Sequence, residues 1–333
     1  MLILYCANNH ILLLGQSMKT KTFESYDWVD AAKGIGIILV VAGHTLDEKI
    51  SSMIFLFHMP FFFLLGGYLY SPKPVSSYFI NKTRRLIIPY IKYLAFFTAF
   101  LIAESLYKGN NLHSVANIIL RSIYGGQLLS GATGVFWFVT VFFFSQQALN
   151  YLINKVGFKY TGLIAIISLC MSYVVSHILH HPSPFNITVS LQAFPFMYIG
   201  YVIKTTKLDI KPIFYFLLGA ISIWFYIGHQ NQMIFDMKAS EYGIPFVSFA
   251  VALILSACMI LISEAFKSKA LNSIGKNSMS IMFIHQFFNF YVAEKITSNQ
   301  SIIFLTTLAL SIAYCVAINL LQSLSFKRQI PEE

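Results

Sequence analysis

Composition, apolar runs and the placement of basic residues together predict an all-α polytopic membrane protein of about ten transmembrane helices, with both termini on the cytoplasmic side. Of 333 residues, 57% are hydrophobic and 11% charged, against about 45–50% and about 25% in a soluble domain. With 32 Phe and a mean hydropathy of +0.67 there is too little polar sequence to coat a soluble core, and far too much apolar sequence for a disordered chain. A spanning helix needs about 20 mostly apolar residues. Ten stretches qualify: Val29–Leu46, Met53–Tyr70, Leu86–Leu106, Val135–Ile153, Tyr160–Leu179, Ile187–Ile203, Ile213–Gly228, Ile244–Ser263, Leu271–Val292 and Ile302–Leu321. With the N-terminus inside, the inner connections hold 15 Lys and Arg and the outer ones five, Lys49, Lys108, Arg121, Lys238 and Lys295. Basic residues favour cytoplasmic loops, so this alternation sets the orientation.

Taken in chain order, residues 1–25 read as an N-terminal cytoplasmic segment, 26–323 as one transmembrane domain and 324–333 as a cytoplasmic tail. Met1 to Gln16 lacks the basic start and small-residue cleavage site of a signal peptide, and the polar run after Met18 marks that residue as the expected start of the functional chain. Between the third and fourth helices, Asn110–Gly134 carries an amphipathic middle (Val115, Ile118, Ile119, Ile123) that suits a short interfacial or re-entrant helix. No transporter-type internal repeat stands out. The net charge of +10 is spread between apolar runs rather than gathered into a basic stripe, so nucleic acid is not an expected partner and membrane lipids are. Cys6, Cys170, Cys258 and Cys315 are too scattered for a disulfide framework or a metal site, so no metal is expected.

Ionisable residues inside spanning helices are costly and point to function. The first helix carries Asp30, Lys33 and His44. Eleven residues separate Lys33 from His44, close to three turns, so both project from one face about 16 Å apart. The stripe reads either as a cation and an imidazole serving one site from opposite ends, or as an interfacial anchoring pair with a capping histidine near water. The second helix places His58 at a comparable depth, and two imidazoles on adjacent antiparallel helices each need partners for both nitrogens. Arg84 and Arg85 form a basic cluster that serves either as a membrane anchor or as a phosphate-binding group. His177, His180, His181 and His229 read as solvated loop residues, and Trp137 as interfacial belt or sugar platform.

The set Asp30-x-x-Lys33-Gly34, Gly43-His44, Phe57-His58-Met59-Pro60-Phe61-Phe62-Phe63 and Arg84-Arg85-Leu86-Ile87-Ile88-Pro89 resembles the membrane acyltransferase-3 family, in its fucose 4-O-acetylase-like branch. Phe136-Trp137-Phe138, Met197-Tyr198-Ile199-Gly200-Tyr201, and Ile274-Gly275-Lys276-Asn277-Ser278 with Ile284-His285 continue the likeness to about Leu321. The family pattern is a basic residue, ten residues, then the essential histidine, matched here by Lys33 and His44. One departure is Leu65-Gly66-Gly67-Tyr68, where the family has Leu-Ser-Gly-Tyr. No stretch corresponds to the SGNH hydrolase domain that some members append.

The resemblance implies a central site that takes acetyl-CoA as donor and a sugar hydroxyl as acceptor, on a surface polysaccharide or its lipid-linked precursor in a bacterial inner membrane. His44 is then base or acyl carrier, with Asp30 holding Lys33 and His58 orienting His44, moving its proton or positioning the acceptor. Arg84, Arg85 and Lys33 are then expected to hold the CoA phosphates, and Trp137, Asn277, Ser278 and His285 to lie on the substrate, a satisfied core histidine being the other reading of His285. A glycolipid or oligosaccharide flippase, or an O-succinyltransferase of the same family, are the competing readings.

Overall fold

The computed structural model describes residues 27–178, 182–206, 212–266 and 268–327. The Met18 start, Cys6, His180, His181 and the end of the tail lie outside the described residues. Each of the ten expected apolar stretches contains helix, and the protein is an all-α polytopic membrane protein. Eight helical segments are long and apolar enough to cross a membrane, and Pro212–Gly228 is a shorter apolar helix among the described residues.

The helices are α1 (Asp27–Thr45), α2 (Glu48–Tyr68), α3 (Val75–Lys82), α4 (Ile88–Tyr107), α5 (Leu112–Tyr124), α6 (Trp137–Lys155) and α7 (Gly157–Ile178). They are followed by α8 (Ser190–Thr206), α9 (Pro212–Gly228), α10 (Val247–Ala265), α11 (Lys269–Lys276), α12 (Ser278–Phe288), α13 (Glu294–Ile296) and α14 (Gln300–Lys327). A π turn at Thr83–Ile87 joins α3 to α4, and a second at Asn289–Ala293 follows α12. Between α9 and α10 a two-stranded antiparallel hairpin, β1 (Phe235–Asp236) and β2 (Glu241–Tyr242), pairs Phe235 with Tyr242.

Lipid offers no hydrophobic drive between helices, so close packing has to come from small residues that let backbones touch. α2 crosses α8 at Gly67 and Gly200, where an added Cβ would lie 1.8 Å from the Met197 carbonyl oxygen or 2.0 Å from that of Leu64. α1 crosses α11 at Gly34 and Gly275, where it would lie 2.3 Å from the Leu271 oxygen or 1.7 Å from that of Asp30. Only glycine fits at these four positions. Asp47 caps α2 by accepting from the Lys49 and Ile50 amides, so the link from α1 is a two-residue turn and His44 and His58 stay near each other. Pro60 removes the donor to the Leu56 carbonyl inside α2, and Ser256 of α10 donates to the neighbouring Phe57 carbonyl at 3.2 Å.

The structure corrects the ninth helix. The expected single span Leu271–Val292 is broken at Asn277, whose φ of −98° and ψ of 6° end α11 and start α12. Gly, Asn and Ser within four residues are weak helix formers, and the contact of Gly275 with α1 holds the break in place. The amphipathic loop segment folds as α5, capped by Asn111, with Leu112, Leu120 and Ile123 exposed.

Candidate active site

The α1 stripe faces two cavities. Lys33, Ile37 and Val40 line the larger, of about 820 Å³, and His44 lines the smaller, of about 250 Å³. The spacings of four, three and four residues keep all of them on one helical face.

Five cations and no carboxylate line the larger cavity: Lys33, Lys73, Lys82, Arg85 and Lys276. Each arrives for a local reason. Lys33 is held by Asp30 at 3.0 Å, an i,i+3 pair on α1. Lys73 sits in the link after α2, which Asn150 of α6 fixes by accepting from the Lys73 amide at 3.1 Å and the Tyr70 hydroxyl at 2.9 Å. Lys82 lies 5.2 Å over the Tyr78 ring. The break at Asn277 places Lys276 and Ser278 on the wall. Of the two arginines, Arg85 lines the cavity and Arg84 does not, because adjacent residues of a helical turn point in different directions about its axis. Gln146, 4% exposed, also lines this cavity, and its Oε1 has no hydrogen-bond partner among the described residues. At Gly66 an added Cβ would lie 2.7 Å from the Phe142 ring, so that ring occupies the space the family's serine would fill.

Around the smaller cavity stand His44, His58, Trp137, Gln286 and Lys238. His58 Nδ1 lies 2.8 Å from the Ile54 carbonyl and His285 Nδ1 lies 3.0 Å from that of Ile281. A carbonyl can only accept, so each Nδ1 carries the hydrogen and the neutral ring keeps a lone pair on Nε2. The His285 Nε2 and Gln286 Oε1 are buried without a partner among the described residues.

The ring facing His44 is that of His285, with centroids 5.5 Å apart. Phe55 stands beside both His44 and His58, with centroid distances of 5.3 and 5.2 Å. His285, expected on the substrate, is fully buried, lines neither cavity and stands beside His44. Asn277 lines neither cavity; it donates to the Ser273 carbonyl at 2.9 Å and accepts from Asn319 at 3.2 Å. Ser278 faces the cation-lined cavity and Trp137 the histidine-lined one. His177 and His229 line neither cavity.

Lys238 was legible in the sequence only as a loop cation. The Asp236 carboxylate accepts from the Lys238 and Ala239 amides, closing the hairpin turn. The Lys238 ammonium then reaches inward to the Leu129 carbonyl at 2.7 Å. Burial pushes its pKa below the usual lysine range, with the Asp236 carboxylate opposing the shift. Asn186, 1% exposed, ties this loop down: its Oδ1 accepts from the Gln127 amide at 3.2 Å and its Nδ2 donates to the Lys238 carbonyl at 3.1 Å. Both Asn186 and Phe185 adopt positive φ there. Among the described residues no group of three or more His, Cys, Asp or Glu side chains converges to hold a metal ion.

A cation-lined chamber and an imidazole-lined chamber on one helix face suit a reaction that joins an anionic donor to a second, polar molecule. Residues 26–320 match the family model for an acyltransferase domain, acyltransferase-3. The chain belongs to the acyltransferase-3 family. Its members are acyltransferases, and this protein is accordingly an integral membrane acyltransferase. No curated protein and no solved structure matches the chain.

Proposed function

We propose that this acyltransferase moves an acetyl group from acetyl-CoA to a sugar hydroxyl of a surface polysaccharide or its lipid-linked precursor, in a bacterial inner membrane. The observation that carries the reading is the pair of chambers on the Lys33–His44 face, cationic at one end and lined by imidazole, indole and amide groups at the other. The cationic chamber faces the cytoplasm, where its basic residues obey the positive-inside rule and where CoA is found. Lys33, Lys73, Lys82, Arg85 and Lys276 hold the CoA phosphates, with the guanidinium suited to two-point contact. The apolar wall of Ile37 and Val40 takes the pantetheine arm towards His44.

In the other chamber Trp137 offers a ring face to the sugar, and Gln286 Oε1 an acceptor for one of its hydroxyls. His44 accepts the proton of the attacking hydroxyl, whose oxygen bonds to the thioester carbon. Lys238 supplies positive charge where the carbonyl oxygen becomes an oxyanion. The C–S bond then breaks, and the proton passes from His44 to the CoA sulfur. No metal takes part in this scheme.

The test is NMR and mass spectrometry of the host's surface glycan after gene deletion, with complementation by wild type or His44→Ala. An O-acetyl signal that vanishes on deletion, returns with wild type and stays absent with a well-expressed His44→Ala protein supports the reading. Unchanged acetylation in the deletion strain refutes it, and a fall in glycan amount alone points to the flippase.

A further inference from the structure

Among the described residues, one side chain lines both chambers. Met59 on α2 is 5% exposed, and it forms part of the wall of the cation-lined cavity and of the histidine-lined one. On α1 the same division falls between Val40 and His44, so the route from the cations to His44 passes Met59. The chamber beyond it is small, about 250 Å³, and has to admit both an acyl group and the hydroxyl that attacks it.

We propose that Met59 is the specificity-determining residue for the acyl chain: it closes the passage between the chambers, and its bulk leaves room at the reacting carbon for a two-carbon acyl group only. This rests on the CoA-donor reading above. A thioester within reach of His44 has its carbonyl at the passage, so every carbon past the carbonyl competes with the Met59 side chain for the same space. Methionine suits the position because it is unbranched and can swing between rotamers without moving its helix. The passage cannot easily be widened by its neighbours: on the inner side the wall continues with the Phe62 and Phe138 rings, which pack on each other at 5.8 Å. Replacing Met59 by Ala removes Cγ, Sδ and Cε, three heavy atoms in line, and so opens space for about three more acyl carbons.

The experiment uses membranes that carry the full-length protein and the host's own glycan, with radiolabelled acetyl-CoA and pentanoyl-CoA as donors and label in the glycan as readout. A pocket that cannot take a methylene discriminates by roughly 10–200-fold. Wild type is therefore expected to prefer acetyl strongly, and Met59→Ala to raise the pentanoyl-to-acetyl ratio by about tenfold or more. Met59→Leu, which conserves volume, is expected to keep the wild-type ratio. Met59→Phe is expected to lower acetyl transfer while CoA still protects the protein against thermal unfolding.

A Met59→Ala protein that transfers acetyl with an unchanged ratio overturns the inference, as does a wild type that uses both donors equally. Should Met59→Ala fail to accumulate, Met59→Val with butyryl-CoA in place of pentanoyl-CoA carries the same two outcomes. Wild-type membranes that transfer no label from acetyl-CoA, and that CoA does not stabilise, refute the donor reading itself, which separates its failure from that of Met59.

Discussion

Gly275→Ala tests how far the site depends on the crossing of α1 and α11. The added Cβ would sit 1.7 Å from the Asp30 carbonyl oxygen, with the Asp30 carbonyl carbon at 2.6 Å and the Gly34 amide nitrogen at 2.9 Å. All three are backbone atoms of α1, so no side chain can turn aside. To restore the 3.0 Å below which Cβ contacts essentially never fall, the helices must separate by at least 1.3 Å, the difference between the two distances.

Two costs follow. Overpacking of a close-packed interface costs typically about 1–3 kcal/mol. The larger effect is on function, because α11 delivers Lys276 and Ser278 to the cation-lined chamber, and the carbonyl pushed away belongs to the residue that holds Lys33. A misplacement of about 1 Å can cost 10²-fold in rate. The expected result is a folded protein with about 10²-fold less acyl transfer and weaker CoA binding. Label transfer in membranes, with thermal unfolding in detergent with and without CoA, reads both quantities. Wild-type transfer and CoA protection in Gly275→Ala would refute the argument that this crossing positions the cation-lined chamber for its proposed donor.

Two other substitutions probe the surroundings of the histidine-lined chamber. His285→Phe keeps a ring against His44 but removes the free Nε2, and is expected to lower kcat by about tenfold or more with the KM for acetyl-CoA unchanged, since His285 lines neither chamber; a changed KM at full kcat would contradict that role. Asn186→Ala strips the partners from the part-buried Gln127 amide and Lys238 carbonyl, at about 0.5–1.5 kcal/mol for each hydrogen bond lost. Hydrogen exchange across residues 229–246 should rise selectively, and unaltered protection there would show that Asn186 does not hold the loop.

Much of the fold was legible because a bilayer imposes a simple rule. Continuous apolar runs of about 20 residues must be helices, since the other arrangement that satisfies its hydrogen bonds in lipid, a closed β-barrel, needs shorter strands of alternating polarity, and all ten stretches contain helix. The exception proves informative: Leu271–Val292 is apolar enough to read as one span, yet the Gly275–Ser278 segment breaks it to pack against α1. A hydropathy window averages over such a break. The Asp30–Lys33 pair was legible too, because three residues along a helix fix two side chains as neighbours.

What the sequence by itself determined is therefore the membrane class, the helical stretches, the stripe on α1 and, by its motif order, the family. The tertiary structure alone decided which groups meet. That His44 faces His285 from 241 residues away in the chain, that Lys238 folds in from a hairpin loop to the smaller chamber, and that Arg85 rather than Arg84 reaches the other, depend on how the helices cross. Periodicity within one helix fixes directions about that helix's own axis. Where the axes cross is set by glycine contacts between distant segments, and only there do the two chambers and their shared Met59 come into being.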